Sequence, residues 1–246
     1  MSIVYIGVDD TDVPGSPGTG RVARGLAKHL EIHCLTQSLG VSRHQLLVDP
    51  HIRYTSHNSA KGIAVKTESS MSQLLDASRE YMAGCYQEGA DPGLCICPES
   101  QVDDEILEYG RLAMSSVITK QAAAGLAQKK SIILKELGGT GDGIIGALAA
   151  VGLRAGGNDG RLVDLRGIHD IKGTITVSYL KERTDIDRVE NITGEILNNS
   201  ELIDSLDRIR PNLRGGKAVL RVERDTSTGH WIPVERKLKH SHEEMK

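Results

Sequence analysis

The segment SIVYIGVDDTD at residues 2–12 combines an apolar run with three aspartates in the four residues that follow it. A nearly continuous apolar run is typical of a strand that is buried on both faces of a sheet. The segment VPGSPGTG at residues 13–20 contains two prolines and three glycines, so it predicts a loop. Residues 21–31 then have apolar side chains at helical spacing, with Thr19 as a predicted N-cap. The order is strand, acidic loop, glycine-rich loop and helix.

The same order of elements recurs near the middle of the sequence. Residues 131–137 read as a strand, residues 138–143 (GGTGDG) as a glycine-rich loop, and residues 144–151 as an apolar helix. Together the two units predict an α/β fold in which residues 1–155 form the first domain.

Between these units the predicted elements are short strands at residues 46–48 and 63–65 and helices at residues 71–86 and 103–129. The second helix contains Gly125, where a break is expected.

The second half changes in composition at residues 154–161, which are rich in glycine and charge. A helix is predicted over residues 187–197. Strands are predicted over residues 162–165, 174–180, 217–223 and 231–234. This order predicts a small α+β domain over residues 156–236. The charged residues 237–246 predict a disordered tail.

The composition is that of an ordinary globular protein, with 246 residues, 39% hydrophobic and 26% charged. The net charge of −3 and the 3% aromatic content disfavour unaided binding of RNA or DNA. No stretch of about 18 apolar residues is present, so no membrane span is expected. The N-terminal residues lack the pattern of a signal peptide, and four cysteines are too few for a disulfide scaffold. These features predict a cytoplasmic protein.

The aspartates at residues 9–12 have the composition of a magnesium site. Clustered carboxylates repel one another unless a cation joins them, and Mg²⁺ prefers one or two carboxylates together with phosphate oxygens. Open α/β sheets also bind ligands at the carboxyl ends of strands. We therefore predict Mg²⁺ and ATP as cofactors, although an acidic surface turn would give the same pattern. The predicted metal ligands are Asp9, Asp10 and Asp12.

Further candidates lie in the glycine-rich loops and in the polar segment at residues 54–61. Backbone amides at a helix N-terminus can bind phosphate, and histidine is a natural acid or base near neutral pH. The predicted nucleotide-binding residues are Gly18, Gly20, Asn58, Lys61, Gly139, Gly141, Asp142 and Gly143. The predicted catalytic residues are Asp9, Asp10, Thr19 and His57. The Cys95-Ile-Cys97 spacing does not match a zinc or thioredoxin motif.

These motifs resemble a known family, archaeal tRNA-isoleucine agmatinylcytidine synthetase. The segment IGVDDTD at residues 6–12, the loop reaching Thr19 and the segment GDGIIGALAAVG at residues 141–152 are similar to that family's motifs, and residues 58–65 resemble its strand at the corresponding place. The resemblance implies a kinase-like domain followed by a ferredoxin-like domain. It also implies that the three aspartates serve the metal and ATP, with Thr19 at the place of the family's autophosphorylated threonine.

The predicted function is an ATP- and Mg²⁺-dependent phosphotransferase or ATP-activating, ligase-like enzyme whose acceptor is an unknown small molecule. Because the family's Cys-x-x-Cys pairs and basic charge are missing from this sequence, tRNA is not expected as a partner without additional domains. A homodimer is left open. One alternative is a haloacid-dehalogenase-like phosphatase, suggested by Asp10-x-Asp12 but opposed by Pro14 and Gly146. Another is a non-catalytic nucleotide-sensing module.

Overall fold

The computed structural model describes residues 1–55 and 57–234 and has a mixed α/β fold. Its helices are α1 (Thr19–His33), α2 (Met71–Ala83), α3 (Asp104–Leu112), α4 (Lys120–Lys130), α5 (Gly143–Gly156) and α6 (Val177–Arg183). The strands of the first part are β1 (Ser2–Asp9), β2 (Gln37–Gln45), β3 (Ser59–Thr67), β4 (Gly93–Pro98), β5 (Ile133–Glu136) and β6 (Arg161–Asp164). Those of the second part are β7 (Thr174–Thr176), β8 (Arg188–Asn191), β9 (Leu202–Asp204), β10 (Asn212–Arg214), β11 (Lys217–Arg224) and β12 (Trp231–Pro233).

The first part is an antiparallel sheet with helices on both faces. Its strand order is β5-β4-β1-β3-β2-β6, and each neighbouring pair is antiparallel. Helices α1 and α2 pack on one face around Ile6 and Leu26, and helices α3 to α5 pack on the other around Ile106 and Leu148. The alternating side chains of β1 therefore contribute to two separate cores, which explains its continuous apolar sequence.

Helix α5 lies close to the sheet because glycines occupy the points of contact. A methyl group added at Gly7 would lie 1.8 Å from the carbonyl oxygen of Ala147, and one added at Gly93 would lie 2.1 Å from the carbonyl carbon of Gly143. No real side chain tolerates such distances, so the backbones can approach only where Cβ is missing. This packing accounts for much of the glycine in residues 141–152.

The second part continues the same sheet and has its own core. Strand β6 pairs with β2 on one side and with β10 on the other, and the order continues as β10-β11-β12-β9-β7, with β8 pairing with β11. Apolar side chains of this part, including Leu180 and Leu220, form a third core. The division into domains at residues 155 and 156 falls at the end of α5 and stays a prediction. The predicted disordered tail lies outside the described residues.

The two strand–loop–helix units are confirmed, but four local predictions are wrong in whole or in part. The predicted strand at residues 46–48 is not formed, and β2 lies just before it. The inward positions of β2 carry the fully buried Ser42 and His44, so it lacks an apolar pattern. Their polar atoms are satisfied because the Ser42 hydroxyl lies 2.7 Å from His44 Nε2 and His44 Nδ1 lies 3.0 Å from Asp159.

The predicted helix over residues 103–129 is two helices, α3 and α4, and the break lies at residues 113–119. Thr119 caps α4 by accepting a hydrogen bond from the amide of Ala122. Gly125 continues the helix on its exposed side, where an added methyl group would meet nothing within 4 Å.

The predicted helix over residues 187–197 is also wrong, because β8 and a turn occupy this segment. The Asn191 side chain accepts hydrogen bonds from the amides of Thr193 and Glu195, which stabilises the turn at the expense of a helix. The helix of this region is α6, which replaces the second half of the strand predicted over residues 174–180. None of the helices within the described residues is long and apolar enough to cross a bilayer.

Candidate active site

A cavity of about 560 Å³ lies where β1 ends and where α1 and α5 begin. The cavity lies at the carboxyl end of β1, as expected, and β1 is antiparallel to both β3 and β4. The carboxyl end of β1 therefore meets the amino ends of these strands, and two helix N-termini complete the wall. The predicted residues that line the cavity are Asp9, Asp10, Asp12, Gly18, Thr19, Gly20, His57, Asn58, Lys61, Asp142 and Gly143.

Gly139 and Gly141 are the predicted residues that do not belong to the cavity lining. Both have positive φ angles, 60° and 81°, which favour glycine for conformational reasons. Gly139 packs against Asp91, whose Oδ1 would lie 1.6 Å from an added methyl group. The turn brings Thr140 to Asp91, and the Thr140 hydroxyl donates to Asp91 Oδ2 at 2.9 Å. These two glycines shape the wall behind the cavity.

Thr19 and Asp12 are joined at the start of α1. Gly18, rather than the predicted Thr19, is the N-cap, and Thr19 is the first helical residue. The Thr19 hydroxyl donates to Asp12 Oδ1 at 2.6 Å, and the Thr19 amide donates to the same oxygen at 3.3 Å. Asp12 Oδ2 accepts from the Thr55 hydroxyl at 3.1 Å. Asp12 therefore caps α1 from seven residues away and holds the Thr19 hydroxyl in a defined place.

Asp9 and Lys61 form the inner part of the cavity. Burial raises the pKa of Asp9 to about 7, with the charge of Lys61 opposing this rise. Lys61 is 6% exposed, and its ammonium group donates to the carbonyl oxygen of Ser59 at 2.7 Å. Burial lowers the pKa of Lys61 to about 8, and the charge of Asp9 opposes this change. The pKa values of both groups are thus shifted towards neutral pH, where proton transfer is efficient.

Asp10 faces further carboxylates across the cavity. Its φ of 49° is a left-handed conformation, which turns the chain sharply after β1. Burial raises the pKa of Asp10 to about 6, and the charge of Asp91 is the next largest cause. Asp91 is itself buried, and Arg53 Nη1 lies 3.4 Å from its Oδ2. This side of the cavity is therefore a region of concentrated negative charge.

Several lining residues were not predicted. Asp91 precedes β4 in sequence, and only the pairing of Asp9 with Gly93 shows that it lies near the end of β1. A lone aspartate between Ala90 and the proline at position 92, before an apolar strand, was the available signal. The positively charged lining residues that were not predicted are Arg43, Arg53, Lys120 and Arg210.

The prediction that Asp9, Asp10 and Asp12 bind a metal stays a prediction. Within residues 1–55 and 57–234, no group of three or more His, Cys, Asp or Glu side chains is arranged to hold a metal ion. Asp12 already accepts hydrogen bonds from Thr19 and Thr55. Mg²⁺ bound with a triphosphate needs only one or two protein carboxylates, and Asp10 near Asp91 fits that requirement.

Solved structures similar to this chain include complexes of TiaS and a tRNA fluorescent labelling enzyme, whereas no protein-family model and no curated protein matches it. A complex of TiaS with an isoleucine tRNA and ATP has a TM-score of 0.55 and 25% identity over 67% of this chain and 38% of its own. A complex of TiaS with the same tRNA, AMPCPP and agmatine has a TM-score of 0.54 and 25% identity over 62% and 36%. A tRNA fluorescent labelling enzyme has a TM-score of 0.53 and 26% identity over 66% and 37%.

The chain spans little more than a third of the length of each of these proteins. The similarity covers about two thirds of the present sequence. These similar structures agree with the predicted α/β fold and with the resemblance that the sequence motifs indicate. In structure and in part of its sequence, this chain resembles TiaS, a tRNA agmatidine synthetase.

Proposed function

We propose that this chain is an ATP-dependent enzyme that transfers a phosphoryl group to an acceptor or activates the acceptor with ATP. The observation that supports this most directly is a cavity on which two helix N-termini, the buried Lys61 and the carboxylates at the end of β1 converge. Helix N-termini and lysine bind phosphates, and carboxylates hold the accompanying Mg²⁺. A solved TiaS complex that contains ATP adds support.

In this proposal the residues of α1 and β3 bind the triphosphate. The amides around Gly18 and Gly20 and the ammonium group of Lys61 would contact phosphate oxygens. Asp10, with Asp91 near it, would hold Mg²⁺, which would neutralise charge on the phosphates. Asp142 and Gly143 would contact the nucleotide from the N-terminus of α5.

In this proposal Asp12 and Asp9 transfer protons. Asp12 accepts the Thr19 hydroxyl hydrogen at 2.6 Å, so it can take that proton if Thr19 is phosphorylated. Asp9, with a pKa of about 7, can accept or return a proton at neutral pH. His57 lines the cavity from an exposed loop, where it would face the acceptor.

The proposal is tested by calorimetric titration with ATP and Mg²⁺. Lys61→Met removes a buried charge from the cavity, whereas Lys135→Met makes the same change on an exposed lysine of β5 outside it. We expect Lys61→Met to weaken ATP binding at least tenfold and Lys135→Met to leave it unchanged. Equal affinity in both variants, or no binding by the unaltered protein, would contradict the proposal. Thermal unfolding checks that both variants are folded.

A further inference from the structure

A row of basic side chains crosses the sheet beside the cavity. Lys61 of β3 is directly paired with Arg43 of β2, and Arg43 is directly paired with Arg161 of β6. Directly paired residues of antiparallel strands lie on the same face of the sheet, about 5 Å apart. Like charges in such positions destabilise a sheet. Arg43 therefore has a like charge on each side, and an anion bound beside it would offset the repulsion.

Further arginines reach the end of this row from other elements. Arg161 is paired with Asn212 of β10, so the loop before β10 brings Arg208 and Arg210 to the same place. Arg24 of α1 is also nearby: its charge acts on Arg210 together with those of the other arginines. We call these residues the arginine cluster: Arg24, Arg43, Arg161, Arg208 and Arg210. Both parts of the chain contribute to it.

Three members of the arginine cluster lack an acidic partner, and two of them open onto the cavity. Among the described residues, Arg24, Arg43 and Arg210 form no ion pair with a carboxylate. Arg43 Nε donates to the Ser59 hydroxyl at 3.0 Å, which orients its guanidinium group. Arg43 and Arg210 both line the cavity. Burial lowers the pKa of Arg43, and the charge of Arg161 lowers it further.

The cavity is consequently polarised along the row. Its negative side contains Asp9, Asp10 and Asp91, and Lys61 separates this side from the arginine cluster. Lys61 and Arg161 are two strands apart, which corresponds to about 10 Å between their backbones. This distance separates the proposed triphosphate contact from the far end of the cluster. A small acceptor would span this distance, whereas the arginine cluster would repel a cationic acceptor.

We propose that the arginine cluster binds a phosphate group carried by the acceptor, so that the acceptor is a small phosphomonoester. Guanidinium groups bind phosphate through paired hydrogen bonds, and a doubly charged anion offsets the repulsion between several arginines. The ligand's role as acceptor rests on the proposed function, but the existence of the phosphate site does not. The cluster would position the acceptor's other end towards Lys61 and the nucleotide.

The test uses the full chain and measures the binding of inorganic phosphate and phenyl phosphate by calorimetry, with and without ATP analogue and Mg²⁺. Arg210→Gln removes one cluster charge, and Arg79→Gln makes the same change on the exposed surface of α2. We expect Arg210→Gln to weaken phenyl phosphate binding about tenfold and Arg79→Gln to leave it unchanged. The ATP analogue should not compete with phenyl phosphate.

Three results would overturn this inference. One is unchanged phenyl phosphate affinity in both Arg210→Gln and Arg43→Gln. Another is competition between the ATP analogue and phenyl phosphate, because the nucleotide's own phosphates would then occupy the cluster. The third is RNA binding that Arg210→Gln abolishes and phenyl phosphate does not displace. Absent ATP binding with intact phenyl phosphate binding would instead refute only the proposed function.

Discussion

The two glycine-rich loops look alike in sequence but serve different purposes in the structure. In the first loop, a methyl group added at Gly18 or Gly20 would find its nearest neighbour at 4.0 or 3.6 Å. At the second loop, a methyl group added at Gly143 would lie 1.9 Å from the carbonyl oxygen of Asp91. The first loop leaves space that a ligand can enter, whereas the second lets two backbones touch. Glycine content alone does not distinguish these roles.

The largest expected effect tests the second loop. Gly143→Ala forces the N-terminus of α5 away from Asp91 and Gly93, and the strain should lower the free energy of unfolding by about 3 kcal/mol. Gly18→Ala, the matched change in the first loop, should alter it by less than about 0.5 kcal/mol. Urea denaturation measures both. Similar stabilities for the two variants would remove the distinction between the loops.

A somewhat smaller effect concerns Asp9, which the second unit buries: its Oδ2 would lie 1.7 Å from a methyl group at Gly146. The folded carboxyl keeps its proton up to a pKa of about 7, whereas the unfolded one loses it near pH 4. The folded state therefore binds more protons in this window, and stability falls as pH rises from about 4 to 7.

A difference of about 3 pKa units sets an upper limit of about 4 kcal/mol on the loss across this window. Because the Asp9 residue is only partly buried, solvent should reduce the loss to about 2 kcal/mol. Asp10, with a pKa of about 6, acts in the same direction. Lys61, whose folded pKa of about 8 is below its unfolded value, has the opposite slope at higher pH. Asp9→Asn should flatten the fall when unfolding is measured between pH 4 and 7. An unchanged slope in this variant would mean that Asp9 is well solvated.

The smallest expected effect tests the first loop. Gly20→Ala adds a methyl group that contacts the side chain of Lys61 at 3.6 Å and reduces the space for a phosphate. We expect ATP to bind about fivefold more weakly, a cost of about 1 kcal/mol, with no loss of stability. Calorimetry and urea denaturation on the same preparation measure the two quantities. Reduced stability with unchanged ATP affinity would assign this glycine a packing role as well.

The predicted elements were correct where the local pattern and the tertiary packing demand the same residues. Strand β1 contributes to a core on each face, so its sequence is apolar throughout. Strand β2 escaped prediction because Ser42 and His44 are buried through hydrogen bonds rather than apolar contacts. At Asn191 one side chain favours a turn over the helix that the apolar spacing indicates.

In the candidate site, too, some residues are brought together by the local sequence and others only by tertiary packing. The aspartates at residues 9–12 and the loop reaching Thr19 are contiguous in sequence, so their clustering could be predicted. Asp91, Arg43 and Arg210 come together only through antiparallel strand pairing and through the approach of the second part of the chain. Such contacts leave no periodic signal. The negative side of the cavity was therefore partly predicted, and the positive side was not.

The pairing of β6 with both β2 and β10 has a mechanical consequence. A hinge between the two parts of the chain would have to rupture interstrand amide–carbonyl bonds, so the halves cannot swing apart as rigid bodies. The cavity is also lined by two connecting segments, residues 51–55 between β2 and β3 and residues 116–119 between α3 and α4. Any widening of the cavity opening would therefore have to come from these two segments, while the hydrogen-bonded sheet beneath them stays continuous.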